Sequence, residues 1–557
     1  MSDQSPRVAL FLRTVTHLKP AQVVHRVRLR GQRAVIGRFP DRAERLLARA
    51  VGSTVGWPDV TTVDGSLAEG FPSPEANAAG EFRFLEESRF LGTPRDWQQP
   101  GALPLWRYHL HYFEWAWAMA AHPDRAWARH AFAELWQSWR RSSTLGRGDA
   151  WHPYTASLRA WALCGVHEAL VASSDLDDAF VHELAVHAGF LRANVEFDVG
   201  GNHLVKNLKA LVGLGVFLGD GDLLAFGRDH LARQLAVQVL PDGGHYERSP
   251  SYHCQVLADL LDVRDLLRAA AVQEVPGLTT AVARMRAWLG AMLLPDGDVP
   301  LFNDCTLVGT HRIARLEPTP SKPDRVISLL PSGYVVLRPS ERIHLVADVG
   351  IPSPPELPAH AHADCLSFEL AVDGQRVIVD SGTSTYQGER RAYERSTAAH
   401  NTVEVDGTDQ TEVWGTFRAA RMARPTMEAL TEDADVIELR ASHDGYRRLA
   451  GSPRHVRTWR CTPTSIAIAD EVRGAGLHRA RAYLHFAPSI EPTSSDAGPL
   501  TITVGGSPSP EVSIVDRNVS VGFGLLFDAK ALVISAQGAL PLRLDLELAV
   551  NPVPTIG

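Results

Sequence analysis

From about residue 105 to residue 294, apolar side chains recur at three- and four-residue spacing, the period of an amphipathic α-helix. Short breakers rich in glycine, proline and aspartate separate the periodic segments, so we expect helices joined by short loops. The predicted helices are Leu105–Ala120, Ala126–Trp139, Ala156–Val171, Ala179–Leu191, Leu204–Leu218, Leu223–Leu240, Tyr252–Ala271 and Ala281–Leu294. Helices in such a series pack as antiparallel hairpins, which favours a solenoid or a toroid.

The proline-rich segment Leu316–Ser332 marks the best domain boundary, and beyond it the apolar period changes to two. Asp373-Gly374, between two such segments, is a strong hairpin signal. The predicted strands are Tyr334–Leu337, Ile343–Asp348, Leu366–Val372, Arg376–Asp380, Thr402–Val405, Val436–Leu439, His455–Arg460, Ile466–Ala469, Ala482–Phe486, Leu500–Val504, Val512–Val515, Ala531–Ser535 and Leu542–Val550. Many short strands separated by turns indicate an antiparallel β-sandwich. We therefore predict an α+β multidomain chain, with residues 1–100 as an N-terminal extension, 101–325 as the helical domain and 326–557 as the sandwich.

The composition excludes several classes of protein. With 45% hydrophobic and 22% charged residues, the 557-residue chain is close to the globular average. A net charge of −8 gives no reason to expect nucleic acid binding. Five scattered cysteines without a C-x-x-C pair argue against a disulfide framework or a cysteine–zinc site. The sequence contains no run of about 18 apolar residues, so no transmembrane helix is expected.

The N-terminal segment has no apolar stretch ending in a small-residue cleavage site, so a cytoplasmic location is expected by default. A periplasmic or secreted location is the alternative if a signal was removed or export is non-standard. The basic segment His25–Arg38 is expected to form a solvated helix face, and attachment to an anionic surface is the sharper alternative.

The densest group of candidate chemical residues begins with the H-x-H pair His360 and His362. Residues i and i+2 of an extended chain point to the same side, so two imidazoles can face one place. Asp380 ends the next predicted strand and His400 precedes another. Histidines and a carboxylate from neighbouring strands make a plausible zinc-type site, although the same histidines could simply form hydrogen bonds within a loop.

Two further segments are rich in polar groups. In Gly201–Asn207, Asn202 and His203 open a predicted helix, and Asn202 could serve only as its N-cap. The loop Asp242–His253 holds ionisable and aromatic side chains, as functional loops often do, although Ser251 could be a helix cap. Eight of the thirteen tryptophans lie between Trp106 and Trp161, where most should be core and some could line a sugar-binding groove.

Together these motifs resemble the heparinase II/III-like polysaccharide lyases, relatives of the heparin, heparan and alginate lyases. The motifs that carry the resemblance are WRYHLHYFEW, GNHLVKNLKAL, DGGHYERSPSYH, HAHADCLSFEL and DSGTSTYQGERRAYERSTAAHNTVEVDG. The resemblance covers most of the chain. It implies an incomplete (α/α) toroid followed by an antiparallel β-sandwich, and β-elimination of a uronic-acid-containing acidic polysaccharide.

The resemblance also implies roles for individual residues. Asn202 and His203 match the pair that binds the substrate carboxylate. Tyr252 matches the tyrosine that acts as general acid, and in some members as base, and His360 matches the catalytic histidine. A second acting tyrosine is either Tyr386 or Tyr393. A structural metal, usually zinc, is implied at His362, Asp380 and His400. The candidate substrate-binding residues are Arg248, Tyr393, His245 and Trp106, and Arg248 is included because it lies close to Tyr252 in the chain.

The leading hypothesis is therefore a lyase linked to bacterial exopolysaccharide or capsule metabolism. A non-catalytic glycan-binding or assembly protein on a lyase scaffold is the main alternative, motivated by the absence of a recognisable signal. The third hypothesis is a hydrolase in which zinc activates water. Nothing in the sequence sets the oligomeric state.

Overall fold

The computed structural model describes residues 4–52, 56–60 and 73–552, and its chain forms two compact units. The helical unit comprises Lys19–Gln238 and Gln255–Val282. The β unit comprises Met1–Leu18, Val239–Cys254 and Ala283–Gly557. Within the described ranges, none of the helices combines the length and apolar character needed to cross a bilayer.

The described helices follow the predicted series closely. They are α1 (Gln4–Val15), α2 (Pro20–Arg38), α3 (Pro40–Leu47), α4 (Pro74–Ala79), α5 (Pro104–Tyr112), α6 (Ala116–Ala120), α7 (Arg125–Ser142), α8 (Pro153–Leu170), α9 (Asp177–Ala193), α10 (Gly201–Leu218), α11 (Gly221–Gln238), α12 (Pro250–Ala269), α13 (Leu278–Met292), α14 (Thr310–Leu316) and α15 (Gly388–Glu394). The chain passes between the two units within α12 and within α13.

Helices α8 and α10 form the centre of the helical unit because they are apolar on nearly every side and almost wholly buried. Helix α10 begins after Gly200 and ends before Gly219, and both glycines have positive φ. Asn202 therefore lies inside the helix. The interpretation of Asn202 as the N-cap is wrong. The first predicted helix is divided into α5 and α6 because Phe113 takes a left-handed conformation with φ 62°.

A short hairpin in the helical unit was not predicted. Strands β1 (Glu81–Phe84) and β2 (Glu87–Phe90) pair antiparallel around Leu85 and Glu86, which both have positive φ. Tight hairpin turns of this kind usually contain glycine, asparagine or aspartate. Neither turn residue is of that type, so the sequence carried no turn signal here.

The β unit holds the remaining strands, all paired antiparallel. They are β3 (Val326–Leu329), β4 (Tyr334–Ser340), β5 (Ile343–Asp348), β6 (Phe368–Val372), β7 (Gln375–Ile378), β8 (Val403–Val405), β9 (Val413–Trp414), β10 (Arg418–Ala419), β11 (Pro425–Glu432), β12 (Ile437–His443), β13 (Arg454–Cys461), β14 (Ser465–Arg473), β15 (Leu477–His485), β16 (Asp496–Ala497), β17 (Leu500–Ser507), β18 (Glu511–Gly522), β19 (Leu525–Ala539) and β20 (Leu542–Val550). The larger sheets have the orders β3-β4-β5-β6-β7, β11-β12-β13-β14-β20-β17-β16 and β18-β19-β15-β8.

The predicted hairpin at Asp373-Gly374 is present, with both residues at positive φ between β6 and β7. Part of the β-unit core is a cluster around Trp288, Phe302 and Tyr334, which joins the end of α13 to the first sheet. The change from helix to strand falls between α14 and β3, inside the predicted boundary segment. The compact units, however, divide the chain elsewhere, because residues 239–254 and 283–316 belong with the strands.

Candidate active site

The β unit brings three of the sequence-predicted residues, Tyr252, His360 and Tyr386, into one tyrosine–histidine cluster. The hydroxyl oxygens of Tyr252 and Tyr386 lie 2.7 Å apart, a hydrogen-bond distance. The ring of His360 lies over the ring of Tyr252, with centroids 4.0 Å apart. Two phenols and an imidazole in direct contact can pass a proton to and from a bound molecule.

Local capping fixes the position of Tyr252 in the first turn of α12. Its backbone N–H donates to the Ser249 hydroxyl at 3.4 Å, and that hydroxyl donates to the Asp304 carbonyl oxygen at 2.6 Å. The cap is therefore Ser249, whereas the sequence pointed to Ser251. The Ser251 hydroxyl instead donates to the same Asp304 carbonyl oxygen at 3.3 Å.

The carboxylate of Asp304 is the anchor of the cluster, and the sequence analysis did not identify it. It accepts hydrogen bonds from His360 Nδ1 at 2.9 Å, from His362 Nε2 at 2.7 Å and from both terminal nitrogens of Arg391. Burial opposes its charged form, but the Arg391 charge and the two histidine hydrogen bonds hold the pKa of Asp304 well below its usual range. A permanent carboxylate therefore faces Nδ1 of His360 and orients the ring, which leaves Nε2 for chemistry.

A carboxylate also lies on the other side of His360. Glu247 Oε2 is 3.8 Å from His360 Nε2, beyond hydrogen-bond distance but close enough for charge attraction. Glu247 belongs to the polar loop Asp242–His253 that the sequence analysis identified. His360 thus stands between two acidic side chains, and only 7% of its surface is exposed.

Aromatic rings enclose Tyr386. Phe417 and Phe523 contact it edge to face, with centroids 5.1 and 4.8 Å away, and the Arg391 guanidinium lies 4.9 Å above the ring. Burial, together with the nearby Asp304 charge, raises the pKa of Tyr386 above its usual value. The phenol is therefore neutral near pH 7 and available as a proton donor to Tyr252 or to a ligand.

The structure distinguishes the two tyrosines between which the sequence could not choose. Tyr393 packs its ring beneath Arg390 and Arg517, with guanidinium carbons 5.2 and 5.8 Å from the centroid. Its hydroxyl is buried and makes no hydrogen bond. Tyr386, whose hydroxyl contacts Tyr252, is the tyrosine that belongs to the cluster.

The predicted metal ligands are close together, but they do not form a complete ligand set. His362 and His400 have ring centroids 5.2 Å apart, and each keeps one buried ring nitrogen, Nδ1 and Nε2 respectively, without a hydrogen bond. Asp380 Oδ2 lies 2.8 Å from His400 Nδ1, which is a hydrogen bond that orients the imidazole. Among the residues described, no group of three or more His, Cys, Asp or Glu side chains is placed to hold a metal ion.

These groups nevertheless fit a cation in part. Two imidazole nitrogens without hydrogen bonds are suitable zinc donors, and a carboxylate behind one of them is the usual supporting arrangement. Asp364, buried nearby in the same loop, has an Oδ1 atom without a hydrogen bond, and burial raises its pKa to about 6. Asp364 is therefore a second candidate carboxylate beside the predicted Asp380.

The helical unit holds a separate polar cluster around His203. Its Nδ1 lies 3.3 Å from Glu196 Oε1, and the ring of Tyr154 packs on it with a centroid distance of 4.2 Å. Asn202, the neighbouring predicted residue, is buried in the same first turn of α10. Glu196 was not predicted, although an acidic residue seven positions before a candidate histidine was a signal that could have been used.

Three predicted substrate-binding residues are engaged elsewhere. Arg248 donates through its two terminal nitrogens to the carbonyl oxygens of Ser332 and Pro331, so its guanidinium holds a backbone turn. His245 is 1% exposed, and burial lowers its pKa to about 4. Trp106 is fully buried in the helical unit and donates to the Glu87 carbonyl oxygen. These contacts describe the surroundings of the three side chains, and their substrate-binding roles stay predictions.

Comparison with known proteins identifies the family. Two family models match the chain: Heparinase II/III N-terminus over residues 65–316, and Heparinase II/III-like, C-terminal, over residues 321–533. Together they span most of the sequence, so the chain belongs to the heparinase II/III-like family of polysaccharide lyases. The residues that carried the resemblance lie within these two regions.

Three similar proteins illustrate the family relationship. FtsZ-localized protein C of Caulobacter vibrioides is 28% identical over 389 residues, which is 66% of this chain and 63% of that protein. Heparin-sulfate lyase of Bacteroides stercoris is 26% identical over 305 residues, 47% of this chain and 45% of that protein. The matched regions thus span less than two thirds of either relative. A heparinase III crystal structure superposes with a TM-score of 0.75 at 16% identity, covering 92% of this chain and 90% of that one. The predicted toroid followed by an antiparallel sandwich is confirmed.

Proposed function

We propose that the protein is a polysaccharide lyase that cleaves a uronic-acid-containing polymer by β-elimination. The observation that carries the proposal is the tyrosine–histidine cluster of Tyr252, His360 and Tyr386 anchored on Asp304. The family membership supports the same reaction class. A proton donor and a proton acceptor in contact are what an elimination requires at neutral pH.

In the proposed reaction, a base removes the proton at C5 of the uronate, and the electron pair of that bond forms the C4–C5 double bond. The C4–O bond breaks, and the departing oxygen takes a proton from an acid. We assign His360, or the neighbouring Tyr252 relayed to it, to the base role. The Tyr252–Tyr386 pair supplies the proton to the leaving oxygen. The developing charge on the uronate carboxylate needs fixed donors, and we assign Asn202 and His203 to that role.

A panel of uronate polymers tests the proposal, including heparan, chondroitin, alginate and a bacterial exopolysaccharide. We expect at least one polymer to give products with the ultraviolet absorbance of a C4–C5 double bond. Wild-type protein that releases no unsaturated product from any polymer of the panel would contradict it. The panel also addresses the finer proposal that the substrate is an exopolysaccharide or capsular polymer.

A non-catalytic glycan-binding or assembly protein is the second candidate function. One observation favours it: the relative matched over the larger share of this chain is named for its localization with FtsZ and carries no activity in its name. Under this alternative, polymer binds without product formation, and Tyr252→Phe leaves the binding unchanged. A Tyr252→Phe variant that binds polymer but loses a measurable wild-type cleavage activity excludes the alternative.

We also propose that His362 and His400 hold a structural metal ion, most simply zinc, with a carboxylate from Asp380 or Asp364. The two imidazole nitrogens without hydrogen bonds support this assignment. Elemental analysis should find about one zinc per chain in wild-type protein, and His400→Ala should lose it and melt at a lower temperature.

His455→Ala is the matched control for the metal prediction. His455 is also fully buried in the β unit and hydrogen-bonds a carboxylate, Asp470, at 2.7 Å. It should keep the metal while losing some stability. Metal-free wild-type protein, or equal metal content in the two variants, would rule the site out.

A further inference from the structure

A buried glutamate stands behind the candidate carboxylate-binding histidine of the helical unit. Glu196 is 1% exposed, and its Oε1 lies 3.3 Å from His203 Nδ1. Its other oxygen, Oε2, accepts from Asn207 Nδ2 at 3.1 Å, while Asn207 Oδ1 accepts from the Glu196 backbone N–H at 2.8 Å. Asn207 lies one turn after His203 on α10, so the helix that presents the histidine also locks its partner in place.

The surroundings keep this glutamate charged. Burial opposes ionisation, but the His203 charge and hydrogen bond, helped by His152 and Asn207, lower the pKa of Glu196 to about 2. His152 Nε2 is 3.9 Å from the same oxygen, and burial lowers the pKa of His152. Tyr154 packs on His203, and Tyr108 packs on His152. Burial raises the pKa of Tyr108, which stays neutral.

We propose that Glu196 is a positioning residue for His203: it fixes the proton on Nδ1 and keeps the ring protonated, so that His203 meets the substrate carboxylate as a cation through Nε2. The two clusters then have different roles in the reaction. A protonated imidazole cannot remove a proton, so His203 neutralises charge and proton abstraction falls to the tyrosine–histidine cluster. Its use in catalysis rests on the proposed lyase function, whereas the pair itself can be measured without substrate.

The decisive measurement is a pH titration of His203 by NMR on full-length protein labelled with ¹³C and ¹⁵N in histidine. Loss of one signal in His203→Gln assigns the resonance. We expect the pKa of His203 in wild-type protein to lie above the ordinary value of about 6.5, with Nδ1 protonated throughout. In Glu196→Gln, which keeps the shape and removes the charge, the pKa should fall by about one unit or more.

Glu183→Gln is the matched control, because Glu183 is another buried glutamate of the helical unit and accepts from Arg140 at 3.1 Å. It should leave the His203 titration unchanged. With an active polymer, Glu196→Gln should raise KM at pH 7 with a smaller change in kcat, because a smaller fraction of the His203 ring is protonated. The KM of the variant should rise further as pH rises, because more of the ring is neutral.

A His203 pKa at or below the ordinary value in wild-type protein overturns the proposal. This measurement does not depend on the folding of any variant. An unchanged pKa in folded Glu196→Gln overturns it as well. If the titration behaves as expected but no polymer is cleaved, the Glu196–His203 pair stands and the proposed lyase function fails. The two failures are therefore distinguishable.

Discussion

Replacing Tyr386 with phenylalanine is expected to lower kcat on an accepted uronate polymer by about 10²–10⁴-fold, the usual contribution of a positioned acid or base. The substitution removes only the hydroxyl that lies 2.7 Å from the Tyr252 hydroxyl. The ring keeps its packing against Phe417 and Phe523, so the fold should persist. Tyr252→Phe should show a loss of similar size, because the same hydrogen bond is broken from the other side.

Tyr393→Phe is the matched control for this prediction. Tyr393 lies seven residues further along the chain, in α15, but packs against Arg390 and Arg517 and makes no hydrogen bond through its hydroxyl. Its kcat should stay close to the wild-type value. Steady-state kinetics with melting temperatures for all three variants decides the matter. Equal activity of Tyr386→Phe and Tyr393→Phe would show that the hydroxyl pair does not take part in catalysis.

Asp304→Asn is expected to have the second large effect, on both stability and activity. The substitution leaves the buried Arg391 without its counter-ion, which costs about 3–5 kcal/mol of the free energy of unfolding. It also removes the anion that orients His360, and loss of such a carboxylate lowers kcat by about 10²-fold or more. Both effects follow because one side chain serves Arg391, His360 and His362 together.

The stability and catalytic effects can be separated with Asp470→Asn. Asp470 is likewise buried in the β unit, accepts from Nε and Nη2 of Arg457 at 2.6 and 2.7 Å, and accepts from His455. Its replacement should cost similar stability but much less kcat. Chemical denaturation measures the free energy of unfolding. Steady-state kinetics at temperatures below the unfolding transition measures kcat. A kcat loss no greater in Asp304→Asn than in Asp470→Asn would show that Asp304 is only structural.

The fold was largely predictable because its signals are local. The 3.6- and 2-residue periods located most helices and strands, and the Asp373-Gly374 turn fixed one hairpin. The prediction of elements failed where a residue adopts a backbone conformation that is unusual for its type. Phe113 breaks a continuous apolar helix pattern with a positive φ, and Leu85-Glu86 forms a tight turn without any turn-forming residue. Tertiary packing imposes these conformations, and single-sequence patterns do not contain it.

The site was predictable where a motif is contiguous and unpredictable where its members are distant in the chain. His360 and Tyr252 were marked by their own motifs, whereas Asp304 reaches His360 across 56 residues and Arg391 across 87. No local sequence pattern distinguishes Asp304 from the aspartates that commonly occur in exposed loops. The choice of Tyr386 over Tyr393 likewise depended on the path of the loop.

The most direct test of the central claim is to digest an accepted polymer in ¹⁸O-labelled water and analyse the products by mass spectrometry and absorbance. An elimination at the tyrosine–histidine cluster predicts products with a C4–C5 double bond, no solvent oxygen, and none of this product from Tyr252→Phe. Saturated products carrying ¹⁸O would instead show hydrolysis, as the zinc-activated water hypothesis requires, and would contradict the account.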